Sequence, residues 1–219
     1  QPQYYRQQSD GQRMTIAVVQ IKTSEAYPWI MKKHYAKRMP SVSYAFGLYE
    51  KTNLVGIVTY GQPASPSLCL GICGEEWRLN VLELNRVSIE SNIKNSASIL
   101  ISRSLKLLPK PKIIVSYADT VMDHVGYIYQ ASNWIYTGAT KERTDMASGD
   151  GKHSRHHKGD TNNRVFRSSK HRYIYFVGSK TVIKKMSKCL NYKKLPYPKG
   201  NVSRYKNNAK IKTQLMMEL

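Results

Sequence analysis

Six side chains able to move protons fall within twenty positions of this sequence: Tyr117, Asp119, His124, Tyr127, Tyr129 and Tyr136. A carboxylate or a neutral imidazole can take a proton and a phenol can give one, so the group could supply a general base and a general acid. The surrounding chain reads as a buried strand over 112–117 and a helix over 125–132, and ligands of open α/β sheets gather where such strands end. Each residue also has a structural reading. Asp119 serves equally well as the N-cap of the helix that follows. Tyr127 and Tyr129 face different sides of that helix, which sends one of them to the core. Arg86, on a predicted strand over 79–87, is either a clamp for developing charge or the structural partner of Glu83 or Asp119.

Other chemistries are excluded or weakened by spacing. Ser116, Asp119 and His124 lack the glycine-flanked elbow that a hydrolase nucleophile needs. His153, His156 and His157 stand among small polar residues in a poor metal-ligand pattern, and His34 has no identifiable second ligand. No metal site is predicted. Cys69, Cys73 and Cys189 form neither a disulfide framework nor a zinc pattern and read as reduced thiols.

The elements that must position these groups follow from periodicity. Residues 14–21 read as a strand, Ser24 as the N-cap of a helix over 26–37, and 42–49 and 54–60 as a hairpin. Residues 96–108 form an amphipathic helix closed by Pro109 and Pro111; short strands are predicted at 134–137 and 173–177, and a basic helix over 180–190. Residues 1–12 are expected to be poorly ordered, 13–190 to form one domain, and 191–219 to be a basic extension. Residues 139–170 read as one long polar loop before the last strand. The order is that of an α/β domain with a mixed central sheet flanked by helices, as in GNAT acyltransferases.

Charge narrows the partner. The chain of 219 residues carries a net +21. Residues 141–219 hold 20 Lys/Arg against 5 Asp/Glu, whereas residues 1–140 hold 15 against 9. So uneven a field points to nucleic acid, and the segment 141–170 has too few apolar residues to insert into a membrane. No run of about 18 apolar residues predicts a transmembrane helix, and the N-terminus shows no signal-peptide pattern.

Several motifs in order resemble the Mom family of bacteriophage proteins: ELNR at 83–86, KNS at 94–96, SYAD at 116–119, HVGYIYQASNWIYTG at 124–138, RSSKHRY at 167–173 and LPYPK at 195–199. His34 with Tyr35, and the stretch 56–66, agree more loosely. The resemblance covers about residues 30–200. It implies a GNAT-like fold and conversion of adenine in DNA to a methylcarbamoyl derivative, which shields phage DNA from host restriction in the cytoplasm of the infected bacterium.

On that resemblance Asp119 or His124 would take the acceptor's proton and Tyr127 or Tyr129 would protonate the leaving group, with Arg86 stabilising charge. Tyr35 would stack on the base and His34 would sit beside it. Acetyl-CoA or another acyl donor is implied, bound where Lys94, Asn95, Ser96 and Ala97 open a helix. That stretch lacks the glycines of a phosphate-binding loop, and an ordinary capped helix looks the same in sequence. Double-stranded DNA would be held by Lys152, Arg155, Lys158, Arg164, Arg167, Lys170 and Arg172. Two alternatives share the fold order: an N-acetyltransferase acting on protein or small-molecule amines, and a non-catalytic DNA-binding protein.

Overall fold

The computed structural model describes residues 3–9, 12–34, 38–120, 124–146, 164–200 and 216–217. Eight strands form a mixed sheet in the order β1-β2-β3-β4-β5-β6-β10-β7. The first five are β1 (Gln3–Ser9), β2 (Gln12–Ile21), β3 (Tyr44–Glu50), β4 (Asn53–Gly61) and β5 (Val81–Ile89). They are joined by antiparallel pairings, each to the next. β6 (Lys112–Asp119) runs parallel to β5 and antiparallel to β10 (Lys170–Val177), whose other edge holds β7 (Ile135–Ala139). This is the mixed α/β sheet flanked by helices that the element order predicted.

Side-chain alternation divides the sheet into two faces. On one, Leu82, Leu84, Ile114, Val58 and Tyr60 pack on Leu100, Ile101 and Leu105 of α3 (Ser96–Leu107). On the other, Val81, Ile113 and Val115 pack on Cys69 and Ile72 of α2 (Pro66–Cys73) and on Met186 of α5 (Lys180–Lys188). A separate cluster joins Ala26, Trp29 and Ile30 to Ala45 and Ile57 on the same sheet. The α2-side face therefore has two apolar patches, with the end of β5 between them.

Several elements differ from expectation. β1 lies in the stretch expected to be poorly ordered. The predicted helix over 26–37 is α1 (Thr23–Pro28) followed by a π-helical turn over Trp29–Lys33, and the chain is extended again at His34. Pro28 lacks the N–H that would continue an α-helical ladder. Lys22, not Ser24, is the N-cap, its backbone N–H donating to Glu25 Oε1 at 2.9 Å. α2 was not predicted, although Ser65 caps it, Pro66 opens it and Gly74 closes it at φ 80°. The helix expected over 125–132 shrinks to α4 (Tyr127–Gln130). Gly126 precedes it at φ 73°, and a Cβ there would meet the Tyr173 ring at 2.5 Å.

The stretch 139–170 is not loop throughout. β8 (Arg143–Met146) and β9 (Arg164–Arg167) pair as an antiparallel ribbon, extended by β11 (Met216–Met217), so β10 is not the last strand. Nor does the packed fold stop at residue 190. Asn191 N–H donates to Ile72 O at 2.9 Å, Leu195 N–H to Tyr136 O at 3.0 Å, and the Tyr197 hydroxyl to Trp134 O at 2.7 Å. Leu195 and its neighbours thereby cover the free edge of β7.

Leu100 is wholly enclosed between α3 and the sheet, whereas Leu79 is 78% exposed. Leu100→Ala should cost about 2–5 kcal/mol in urea unfolding, and Leu79→Ala should stay within about 0.5 kcal/mol of the parent. Equal losses would mean that α3 does not close the core.

Candidate active site

β5 and β6 are paired only at Val81–Ile113, Leu82–Ile114 and Glu83–Val115. Beyond Glu83 they part: β5 continues against β4, and β6 continues against β10. Two features hold the opening. The register of β4 and β5 shifts between Thr59–Arg86 and Tyr60–Leu84, which leaves Asn85 as a bulge; bulges bend a strand and re-aim its side chains. Thr59 Oγ1 donates to Asn85 Oδ1 at 2.6 Å, and Asn85 Nδ2 donates to Ser41 O at 2.8 Å. From β6, Ser116 Oγ reaches Leu84 O at 2.8 Å and lies 2.7 Å from the Tyr129 hydroxyl.

The two sides of this fork differ chemically. Toward α3 it is lined by the apolar core, with Ser116 and Tyr129 at the vertex. Toward α2 strand alternation places Glu83, Tyr117 and Asp119, and the Asn85 bulge turns Arg86 to the same side. Glu83 sits at the vertex, and the carboxyl has no hydrogen bond or contact ion pair among the described residues. Burial raises its pKa; the positive charges of Arg86 and Lys170 oppose that rise. Arg86 is fixed by the backbone, donating from Nη1 to Asn85 O at 2.6 Å and from Nη2 to Arg38 O at 3.0 Å. Buried His34 has its pKa lowered to about 3, first by desolvation and then by the Arg86 charge. It is a neutral imidazole at physiological pH. Tyr117 is raised by burial and then by the Glu83 charge, so it stays a neutral phenol.

The predicted site residues separate on this frame. The Arg86 charge acts on both Glu83 and His34. Asp119 is buried at the end of β6, accepting from Ser168 Oγ at 2.7 Å and from Lys170 Nζ at 2.5 Å. It does not cap the next helix, whose N-cap is Gly126. His124 is half-buried and bonded through its backbone N–H to Asp119 O at 3.2 Å. Tyr129 is the core member of its pair at 6% exposure, and Tyr127 is the solvent-facing one at 54%. Lys170 is the ion-pair partner of Asp119. Arg172 donates from Nε to Thr137 Oγ1 at 2.9 Å and lies 3.5 Å over the Tyr192 ring, so the fold already employs both cations. Arg164 and Arg167 lie on β9. Tyr35, Lys152, Arg155 and Lys158, with the three arm histidines, lie outside the described residues. Glu83 was read from sequence only as a partner for Arg86; its place at the last paired position of a parallel ladder needs the sheet register.

The start of α3 fits a diphosphate poorly. Lys94 is exposed, Asn95 precedes the helix at φ 64°, and Ser96 is buried with Oγ donating to Ile93 O at 2.5 Å. Ser91 Oγ donates to the carboxylate of Glu50. No group of three His, Cys, Asp or Glu that could hold a metal ion occurs among the described residues, and none of the helices searched is long and apolar enough to cross a membrane.

The His34 shift sets a pH dependence. Between about pH 3 and pH 6.5 the unfolded chain binds a proton that the folded chain refuses. Stability from this group is therefore full above 6.5 and lost as pH falls, by up to about 1.4 kcal/mol per pH unit. Denaturant unfolding from pH 7 to pH 4 should show a shallower loss for His34→Gln than for the parent; parallel curves would place His34 in contact with water.

Comparison with known proteins agrees with the motif series. The profile of the Mom protein family matches residues 15–199. A methylcarbamoylase mom of Escherichia phage Mu is 31% identical over 116 residues, 50% of this chain and 48% of that protein. The chain thus spans about half the length of the curated relative it matches. Among solved structures, an N-acetyltransferase from Staphylococcus aureus Mu50 is 12% identical over 74% of this chain and 98% of its own, at a TM-score of 0.45. A ribosomal-protein-S5-alanine acetyltransferase from Vibrio fischeri is 10% identical over 80% and 98%, also at a TM-score of 0.45. Likenesses at those scores add no weight to a function. With most of its length matched by the family profile, this chain belongs to the Mom protein family.

Proposed function

We propose that this chain is a DNA-modifying transferase that converts adenine to its N6-methylcarbamoyl derivative in double-stranded DNA, with the chemistry performed in the fork between β5 and β6. The observation that carries the reading is a mostly enclosed carboxyl, Glu83, at the vertex of that fork beside a fixed guanidinium and a neutral imidazole. Enclosed ionisable groups facing an opening are where catalysis concentrates. The description of the Mu relative as a methylcarbamoylase supports the identity of the added group, and the motif series supports adenine as its acceptor.

The exocyclic amine of adenine is a weak nucleophile because its lone pair is delocalised into the ring. It must be placed in line with the donor carbon, after the base leaves the helix stack at a cost of a few kcal/mol. Glu83 takes the N6 proton as the new N–C bond forms, and the bond from the transferred carbon to its leaving group breaks with its electron pair. Arg86 needs no reorganisation to meet developing negative charge, since two backbone carbonyls already hold it. His34, uncharged, can bond to the ring edge of the base, and Tyr129 is the tyrosine placed near the leaving group. Asp119 acts through structure, anchoring the return of the arm. The phosphates are assigned to Lys152, Arg155, Lys158, Arg164 and Arg167 of the arm; Lys170 and Arg172 are employed in the fold.

Nucleoside mass spectrometry of plasmid DNA from bacteria expressing the chain tests the reading without a chosen donor. A heavier adenosine derivative should appear and should fall about 10²–10⁴-fold in Glu83→Gln; unmodified DNA from soluble, expressed protein would refute it. In vitro, the rate should climb with pH along a limb set above the ordinary glutamate range, because Glu83 must first lose its proton. Joint replacement of Lys152, Arg155 and Lys158 by Gln should flatten the salt dependence of duplex binding by about 3 in log–log slope. An unchanged slope would take the phosphates away from the arm.

A further inference from the structure

We propose that the fork recognises the transferable group and the arm attached to it without gripping a diphosphate, so that a donor lacking its nucleotide serves as well as the complete one. The inference rests on the transfer reading above. A helix of the length of α3 offers an anion free N–H groups and the positive end of its dipole. Here the chain's own groups occupy that approach. Glu50, at the end of β3, brings its carboxylate to Ser91 and accepts its hydroxyl proton. Ser91 Oγ in turn accepts from Ile93 N–H at 3.0 Å, and the Ser96 hydroxyl lies 3.0 Å from it. The hydroxyls and the amide that could wrap a phosphate are thus bonded to one another around a carboxylate.

Two further features act the same way. Glu90 brings a second negative charge to the same loop, and Lys33, its salt-bridge partner, lies 3.8 Å over the Trp29 ring. Asn95 holds a left-handed conformation at φ 64° with a side chain in place, at a point where phosphate-binding loops use glycine so that a ligand can approach the backbone. A diphosphate would have to displace Glu50 before it met the helix. Past this loop, between the two strands, the described lining on the α3 side of the fork is apolar core with the uncharged Ser116 and Tyr129 at the vertex.

Isothermal titration of the purified full chain with acetyl-CoA and with S-acetylpantetheine tests this directly. The two affinities should agree within about five-fold, and inorganic pyrophosphate should displace neither ligand. Glu50→Gln, checked for an unchanged circular-dichroism melt, should tighten acetyl-CoA by about ten-fold, or about 1.4 kcal/mol, and leave S-acetylpantetheine unchanged. A preference for acetyl-CoA of more than about five-fold in the parent protein, or its displacement by pyrophosphate, would overturn the proposal. If the parent binds neither ligand, binding of acetyl-CoA gained in Glu50→Gln supports it and no gain refutes it. Unmodified adenine in cells would instead sink the transfer reading, which these titrations leave untouched.

Discussion

The early end of the ladder between β5 and β6 is the constraint on which the rest of the structure depends. Two strands that stay side by side past Glu83 would satisfy each other's backbone groups; parted, each must find other partners. β5 finds them on β4 and β6 on β10, so the sheet is two antiparallel halves joined by three parallel residue pairs. Ser116 supplies the one cross-link just past the join, and the Asn85 bulge bends β5 away from it. The opening is therefore built into the strand register and needs no ligand to pry it apart.

Once the strands part, electrostatics sort the groups along them. Placing several ionisable side chains on one partly buried face is costly unless charges are paired or neutralised. Asp119 takes Lys170 and a hydroxyl. His34, beside Arg86, gives up its proton. Glu83 is left with charges that attract it from beyond contact distance and burial that opposes its ionisation. That balance is why the proposed proton exchange with something entering the fork is assigned to Glu83, while Asp119 already holds Lys170 and Ser168.

Much of this was legible in the sequence, and what was not has identifiable causes. The helix over 96–108 and the strands near 112 and 173 carry strong apolar periodicity, and the structure has them within a few residues. Splitting of the tyrosine pair followed from helical geometry alone. α2 was missed because its residues are apolar nearly all round, which blurs a helical period, although Ser65, Pro66 and Gly74 signalled both ends. The ribbon at the base of the arm was missed because each of its strands is four residues long and mostly charged or polar. Glu83 could not be recognised as the vertex of the fork, since register between strands separated by a helix is not written in either strand.

The same register ties the root of the basic arm to the fork. The arm leaves the sheet after β7 and returns into β10, and both passages are stitched to the end of β6. Thr140 N–H donates to Lys170 O at 2.9 Å and Lys170 N–H to Thr140 Oγ1 at 3.0 Å. Thr120 Oγ1 donates to Ser169 O at 2.7 Å, and Ser168 and Lys170 converge on Asp119. Asp119 is in turn two residues beyond Tyr117, whose phenol feels the charge of Glu83. On the proposed reading, a duplex held by the basic arm would be referenced to the strand that forms one wall of the fork. On the same proposal, removing the Asp119 carboxylate would impair function through structure: it would leave Lys170 and Ser168 without this acceptor and loosen the root of the arm.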